Sequence, residues 1–181
     1  MSVIDDYKKL MLEVRAGTFR PVYLLHGEES FFIDRIADEI EQLALADHER
    51  DFNQTILYGR DANHEVVKDT CLRFPMMAER QLVIVRELQS WRIDEIEKLE
   101  AYLSKPTPTT VLVLCHKHKK VDGRKGVIKA VQKGGGAVLQ SDKLKDDKLP
   151  ALLMSVAKSH TRRLGPTEAQ LLADHLGSDL A

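Results

Sequence analysis

The stretch PVYLLHGEESFFIDRIADEI, residues 21–40, decides the fold. An apolar run over 22–26 reaches Gly27 and gives way at once to a helical pattern over 30–46. Strand, glycine turn and helix are the outline of a phosphate-binding loop, in which backbone amides at a helix N-terminus hold the phosphate. The full motif, G-x-x-x-x-G-K-[ST], adds a second glycine, a lysine for the β and γ phosphates and a hydroxyl for magnesium. Counted from Gly27, those positions hold Phe32, Ile33 and Asp34, while Glu28 and Glu29 bring carboxylates to where phosphate would sit. The expectation is a degenerate nucleotide site at Gly27, Glu28, Glu29 and Asp34, with no useful ATP affinity and no cofactor.

Outward from this loop the chain alternates. An amphipathic helix over 3–15 precedes it, and strands are expected at 52–58, 81–87, 109–116 and 137–141. Helices are expected between them at 63–74, 93–104 and 123–134. Five short apolar strands separated by helices predict a three-layer α/β domain with a mostly parallel five-stranded sheet. The third strand, QLVIVRELQ, ends in Arg86 and Glu87, where an NTPase usually places a magnesium-binding Asp. From pattern alone, a decayed ATPase core and a flavodoxin-like sheet that never bound nucleotide fit equally. Beyond Ser141 the pattern changes to two helices, with Pro150 in the first turn of one, a capping box from Thr167 to Gln170 in the other and Gly177 as its stop. The boundaries read from this are residues 1–141 for the α/β domain and 142–181 for an incomplete helical domain, which makes the chain look truncated.

The 181 residues carry 27 Lys and Arg against 28 Asp and Glu, unevenly spread. The early part is acidic, and residues 117–148 are rich in Lys and Arg. Lys117, Lys119, Lys120, Arg124 and Lys125 are possible DNA contacts, although a solvated face fits as well and no aromatic residues interleave them for base stacking. The two cysteines, Cys71 and Cys115, lie too far apart in sequence for a metal-type pair, and CHKHKK at 115–120 lacks the second half of a ligand set. No metal is expected. Ser30, His26 and Asp34 lack the G-x-S-x-G turn of a hydrolase. With neither a signal-peptide pattern nor an apolar run of membrane length, the expected location is the cytoplasm, with no membrane partner.

Three segments in order, PVYLLHGEESFFIDRIADEI, FPMMAERQLVIVRE and LSKPTPTTVLVLCHKHKKVDGRKGVIKAV, resemble the delta subunit family of the bacterial DNA polymerase III clamp loader. The resemblance spans almost the whole chain. It implies an AAA+-like domain with decayed nucleotide motifs, a small helical lid and a C-terminal collar that this chain lacks. It also implies a non-enzymatic subunit that binds the sliding clamp (beta) and opens the ring for loading onto primed DNA. Its other partners would be the delta prime and gamma/tau subunits. In the family an apolar pair before the third strand enters the clamp, and by position that pair is Met76 and Met77, with Phe74 and Pro75 shaping the approach. The family often has Leu-Phe there, so two methionines are a departure, though a flexible thioether suits an apolar pocket. Without the resemblance, Met76 and Met77 would read as core residues at the end of a helix. Arg80 and Gln81 are read as anchors of the loop. The alternative function is a divergent NTPase or nucleotide-binding enzyme.

Overall fold

Five strands form the centre of the computed structural model, which describes residues 3–122, 126–144, 146–159 and 161–176. They are β1 (Val22–Gly27), β2 (Gln54–Tyr58), β3 (Gln81–Arg86), β4 (Thr110–Lys117) and β5 (Ala137–Ser141). Their order is β2-β3-β4-β1-β5, and every pairing between them is parallel. Between β4 and β5, β1 sets Leu24 beside Leu114 on β4 and Val138 on β5.

The two-residue period of a strand sorts the core into two layers. Tyr23, Leu25, Leu82, Ile84, Val113, Cys115 and Leu139 face one side and pack with α1 (Val3–Arg15) and α2 (Ser30–Leu43). Val22, Leu24, Val83, Val85, Leu112 and Leu114 face the other, against α4 (His64–Cys71), α5 (Ile93–Glu97), α6 (Glu100–Ser104) and α7 (Gly126–Lys133). Burial on both faces is why these strands read as continuous apolar runs instead of alternating ones. Each fully buried side chain among them, Phe32 and Ile36 included, contributes about 1.5 to 3 kcal/mol.

Three expectations need correction. The helix from Ser30 ends at Leu43, and a separate α3 (Asp47–Asn53) occupies the start of the expected second strand. Glu49, third in α3, returns its carboxylate to the Ala46 amide at 2.9 Å and so starts a new helix. The helix expected over 93–104 is broken near Lys98. Ile96, Leu99 and Leu103 are nonetheless all buried, so one apolar stripe runs across the break and hides it from a periodicity count. Finally, α9 (Pro166–Leu176) begins at a proline, whose missing amide suits a first helical position, which puts Thr167 inside the helix instead of at its cap. Gln170 bonds forward to Asp174 at 2.8 Å, and Gly177 lies outside the described residues.

The helix α8 (Leu149–Ser159) sends Leu152 and Val156 into the same core layer as α1 and α2. None of the described helices is long and apolar enough to cross a membrane.

Candidate functional site

The turn after β1 is closed by the protein's own groups. Gly27 has φ +140° in the region reserved for glycine, and a side chain there would run into the backbone of Ser141 at the end of β5. The next turn is tied to the same residue: the Glu29 amide donates to Ser141 O at 3.1 Å, and Ser141 Oγ donates to Glu29 O at 2.6 Å. Glu29 is buried, and its carboxylate accepts from the Phe31 amide at 3.2 Å as the N-cap of α2. The sequence reading treats Glu29 as an unpaired repelling charge. In the structure it is satisfied, because it occupies the helix-end position that attracts anions. Glu28 is exposed.

The remaining nucleotide positions are likewise engaged within the chain. Asp34, where the motif needs a hydroxyl, pairs with Lys117 Nζ at 2.6 Å from the end of β4. Arg86, at the end of β3, donates to Asp38 at 2.9 Å and Glu41 at 2.8 Å, both on α2. Burial disfavours the guanidinium charge, yet the bonds to Asp38 and Glu41 outweigh this and raise its pKa. A cation held by two carboxylates thus stands where a nucleotide enzyme has an anion waiting for magnesium. Beneath the turn, the buried ring of His26 accepts from the Val121 amide at 3.1 Å, and His116 Nδ1 donates to Lys119 O at 3.0 Å. Burial, reinforced by neighbouring His116, lowers the His26 pKa to about 4, and burial also lowers that of His116. Neither His26 nor Asp34 is bonded to Ser30 in the manner of a hydrolase triad. No group of three metal-binding side chains occurs among the described residues.

At the opposite end of the sheet, the loop between α4 and β3 carries a different kind of surface. Phe74 is 85% exposed, Met76 61% and Met77 101%, a solvent-facing apolar tip with Pro75 half-buried between them. These methionines are not core residues. Met77 adopts φ +53°, a left-handed conformation that costs a non-glycine residue about 1 to 2 kcal/mol. Buried polar side chains hold both ends of the loop. Gln81 Nε2 donates to Arg73 O at 2.6 Å and to Thr110 Oγ1 at 2.9 Å, while Thr110 Oγ1 donates to Cys71 O at 2.8 Å. Arg80 lies 5.0 Å from the centre of the Phe19 ring. Asn53, at the end of α3, accepts from the Met76 amide at 2.6 Å and donates to Met76 O at 3.0 Å. Sequence reading misses Asn53, since it lies within a stretch read as strand; an Asn among apolar strand residues is the one signal present. Phe52 beside it is 70% exposed.

The basic positions divide. Lys117 is paired as described, Lys120 Nζ meets Asp142 at 2.9 Å, Lys119 is exposed, and Arg124 and Lys125 lie outside the described residues. Cys71 and Cys115 are free and buried, and burial pushes both thiols up to about 12. Trp91 and Tyr102 are buried in the second layer, with Trp91 Nε1 donating to Gly59 O at 2.7 Å.

An all-parallel five-stranded sheet of this order, with the loop after β1 turned to internal contacts, makes this an α/β domain whose sheet resembles that of AAA+ domains. The family model for the DNA polymerase III delta subunit matches residues 23–140, more than half of the chain. The chain belongs to that family. It is 30% identical over 183 aligned positions to the DNA polymerase III subunit delta of Bacillus subtilis, covering 96% of this chain and 50% of that protein. The solved Bacillus subtilis DNA clamp loader delta protein superposes with a TM-score of 0.76 at 25% identity, over 98% of this chain and 54% of the other. The chain therefore spans about half the length of these relatives.

Proposed function

We propose that this chain is the clamp-opening part of a bacterial clamp loader: it binds the sliding clamp through Met76 and Met77, favours the open ring and catalyses no reaction itself. The observation that carries this reading is the apolar tip, exposed in a left-handed loop conformation and held from beneath by buried Asn53 and Gln81. An exposed apolar tip inside a charged rim is the form of a binding anchor. Phe74 and Pro75 shape its approach.

The mechanism is differential affinity. A surface that fits the opened or strained ring better than the closed one shifts the ring's equilibrium toward opening by the difference in binding free energy. ATP acts elsewhere, on the sibling gamma/tau subunits, which together with delta prime would expose or withdraw this face in the assembled loader in the cytoplasm. Residues 1–141 form the clamp-binding domain and 142–181 the beginning of the lid. Primed DNA passes through the complex, and exposed Lys119 suits phosphate contact better than Lys117 and Lys120, whose charges already meet Asp34 and Asp142, while Arg124 and Lys125 are candidates by their charge alone.

The competing reading, a nucleotide-binding enzyme, has to displace Glu29 from the α2 cap and accommodate Arg86. Titration of the chain with ATP and magnesium, followed by calorimetry, separates the two. The expected result is no saturable binding at millimolar nucleotide; saturation in the micromolar range would restore the enzyme reading.

A further inference from the structure

The buried amide of Asn53 has a geometry that ordinary core satisfaction does not require. Its oxygen accepts from the Met76 amide at 2.6 Å, and its nitrogen donates to Met76 O at 3.0 Å and Glu49 O at 3.0 Å. One side chain thus grips both the N–H and the C=O of a single residue 23 positions along the chain, as a neighbouring strand would. The third bond, to Glu49 O, ties that grip to the body of α3. Asn53 itself is 4% exposed, so water competes little for these bonds.

We infer that Asn53 is a positioning residue, which fixes the backbone of Met76 so that the Met76 and Met77 side chains project as a preformed binding tip. This rests on the proposed role of the tip in clamp binding. The strain at Met77 supports it: a left-handed non-glycine residue persists where its surroundings over-determine the backbone, and the preceding residue is the one held on both sides. Preorganisation matters here because methionine is rich in rotamers, and a loop that also had to be ordered on docking would lose further affinity. Asparagine is the fitting residue. Alanine removes all three bonds, and aspartate keeps the acceptor but loses both donors.

The test compares the chain, Asn53→Ala, Asn53→Asp, Met77→Ala and the Asn53→Ala, Met77→Ala double variant. Each is assayed for clamp binding with the sliding clamp of the same organism, and the Met76 amide is followed by hydrogen exchange. The expected result is a cooperative thermal transition in Asn53→Ala, faster exchange at Met76 and a Kd about tenfold higher, which is about 1.4 kcal/mol. Asn53→Asp costs at least as much, because it sets a buried carboxylate against Met76 O and Glu49 O. In the Met77→Ala background the cost of Asn53→Ala shrinks to about threefold or less, since residues acting through one another are not additive. Equal cost in both backgrounds would make Asn53 merely structural and overturn the inference, as would unchanged exchange at Met76. If Asn53→Ala unfolds, Asn53→Ser, a small neutral side chain that cannot make all three bonds, carries the same comparison. If the parent chain binds no clamp, the proposed function fails; exchange at Met76 then decides by itself whether Asn53 sets the loop.

Discussion

Replacing Met76 and Met77 together with serine weakens binding of this chain to the sliding clamp by about 100-fold or more, and its melting temperature stays where it was. The two side chains are 61% and 101% exposed in the free chain, so all of Met77 and more than half of Met76 is available for burial by a partner. At about 1.5 to 3 kcal/mol for a fully exposed side chain, that burial contributes about 2.5 to 5 kcal/mol before the cost of ordering two flexible side chains. The middle of that range corresponds to more than about 100-fold. The same exposure explains the unchanged stability, because surface substitutions away from caps and buried polar groups stay within about 0.5 kcal/mol. The backbone bonds from Asn53 do not depend on the identity of the side chain at Met76. Binding is read by surface plasmon resonance and folding by circular dichroism. Equal binding by parent and variant would leave the partner in place and remove the site.

Gly27→Ala is the most damaging single substitution expected in the loop after β1, although no phosphate is involved. A β-carbon there meets the Ser141 carbonyl, which is backbone already bonded to the Glu29 amide and cannot move aside cheaply. Added to the strain of φ +140° for a residue with a side chain, the cost is about 3 kcal/mol or more. For a chain of this size that is a fall in Tm of about 6 to 12 °C. Gly135, at φ +79° with nothing near its missing side chain, supplies the contrast: Gly135→Ala costs about 1 kcal/mol, the backbone strain alone. Equal shifts for the two variants would contradict the packing argument. The glycine of a phosphate-loop outline is thus kept here by the contact between β1 and β5.

The central sheet was legible because its strands are buried on both faces and announce themselves as apolar runs, VYLLH and VLVLC among them. Helix α3 was not, because DHERDFN has no apolar stripe and owes its start to one carboxylate folding back on an amide. The vacancy of the phosphate-binding motif could be counted directly from Gly27. What replaces it could not, since the partners Asp34 and Lys117, Arg86 and Asp38, and Ser141 and Glu29 are 83, 48 and 112 residues apart. Met76 and Met77 were picked out by resemblance, whereas the bonds that Asn53 and Gln81 make to the backbone of their loop appear only once the chain has folded.

The claim that this chain favours the open ring is tested most directly by loading the sliding clamp onto nicked circular DNA and following its release after adding the chain without nucleotide. The account predicts that saturating chain accelerates release well above the spontaneous rate, and that the Met76→Ser, Met77→Ser variant does not. Binding at saturation with no change in the release rate would show a subunit that holds the ring without opening it, and would contradict the account.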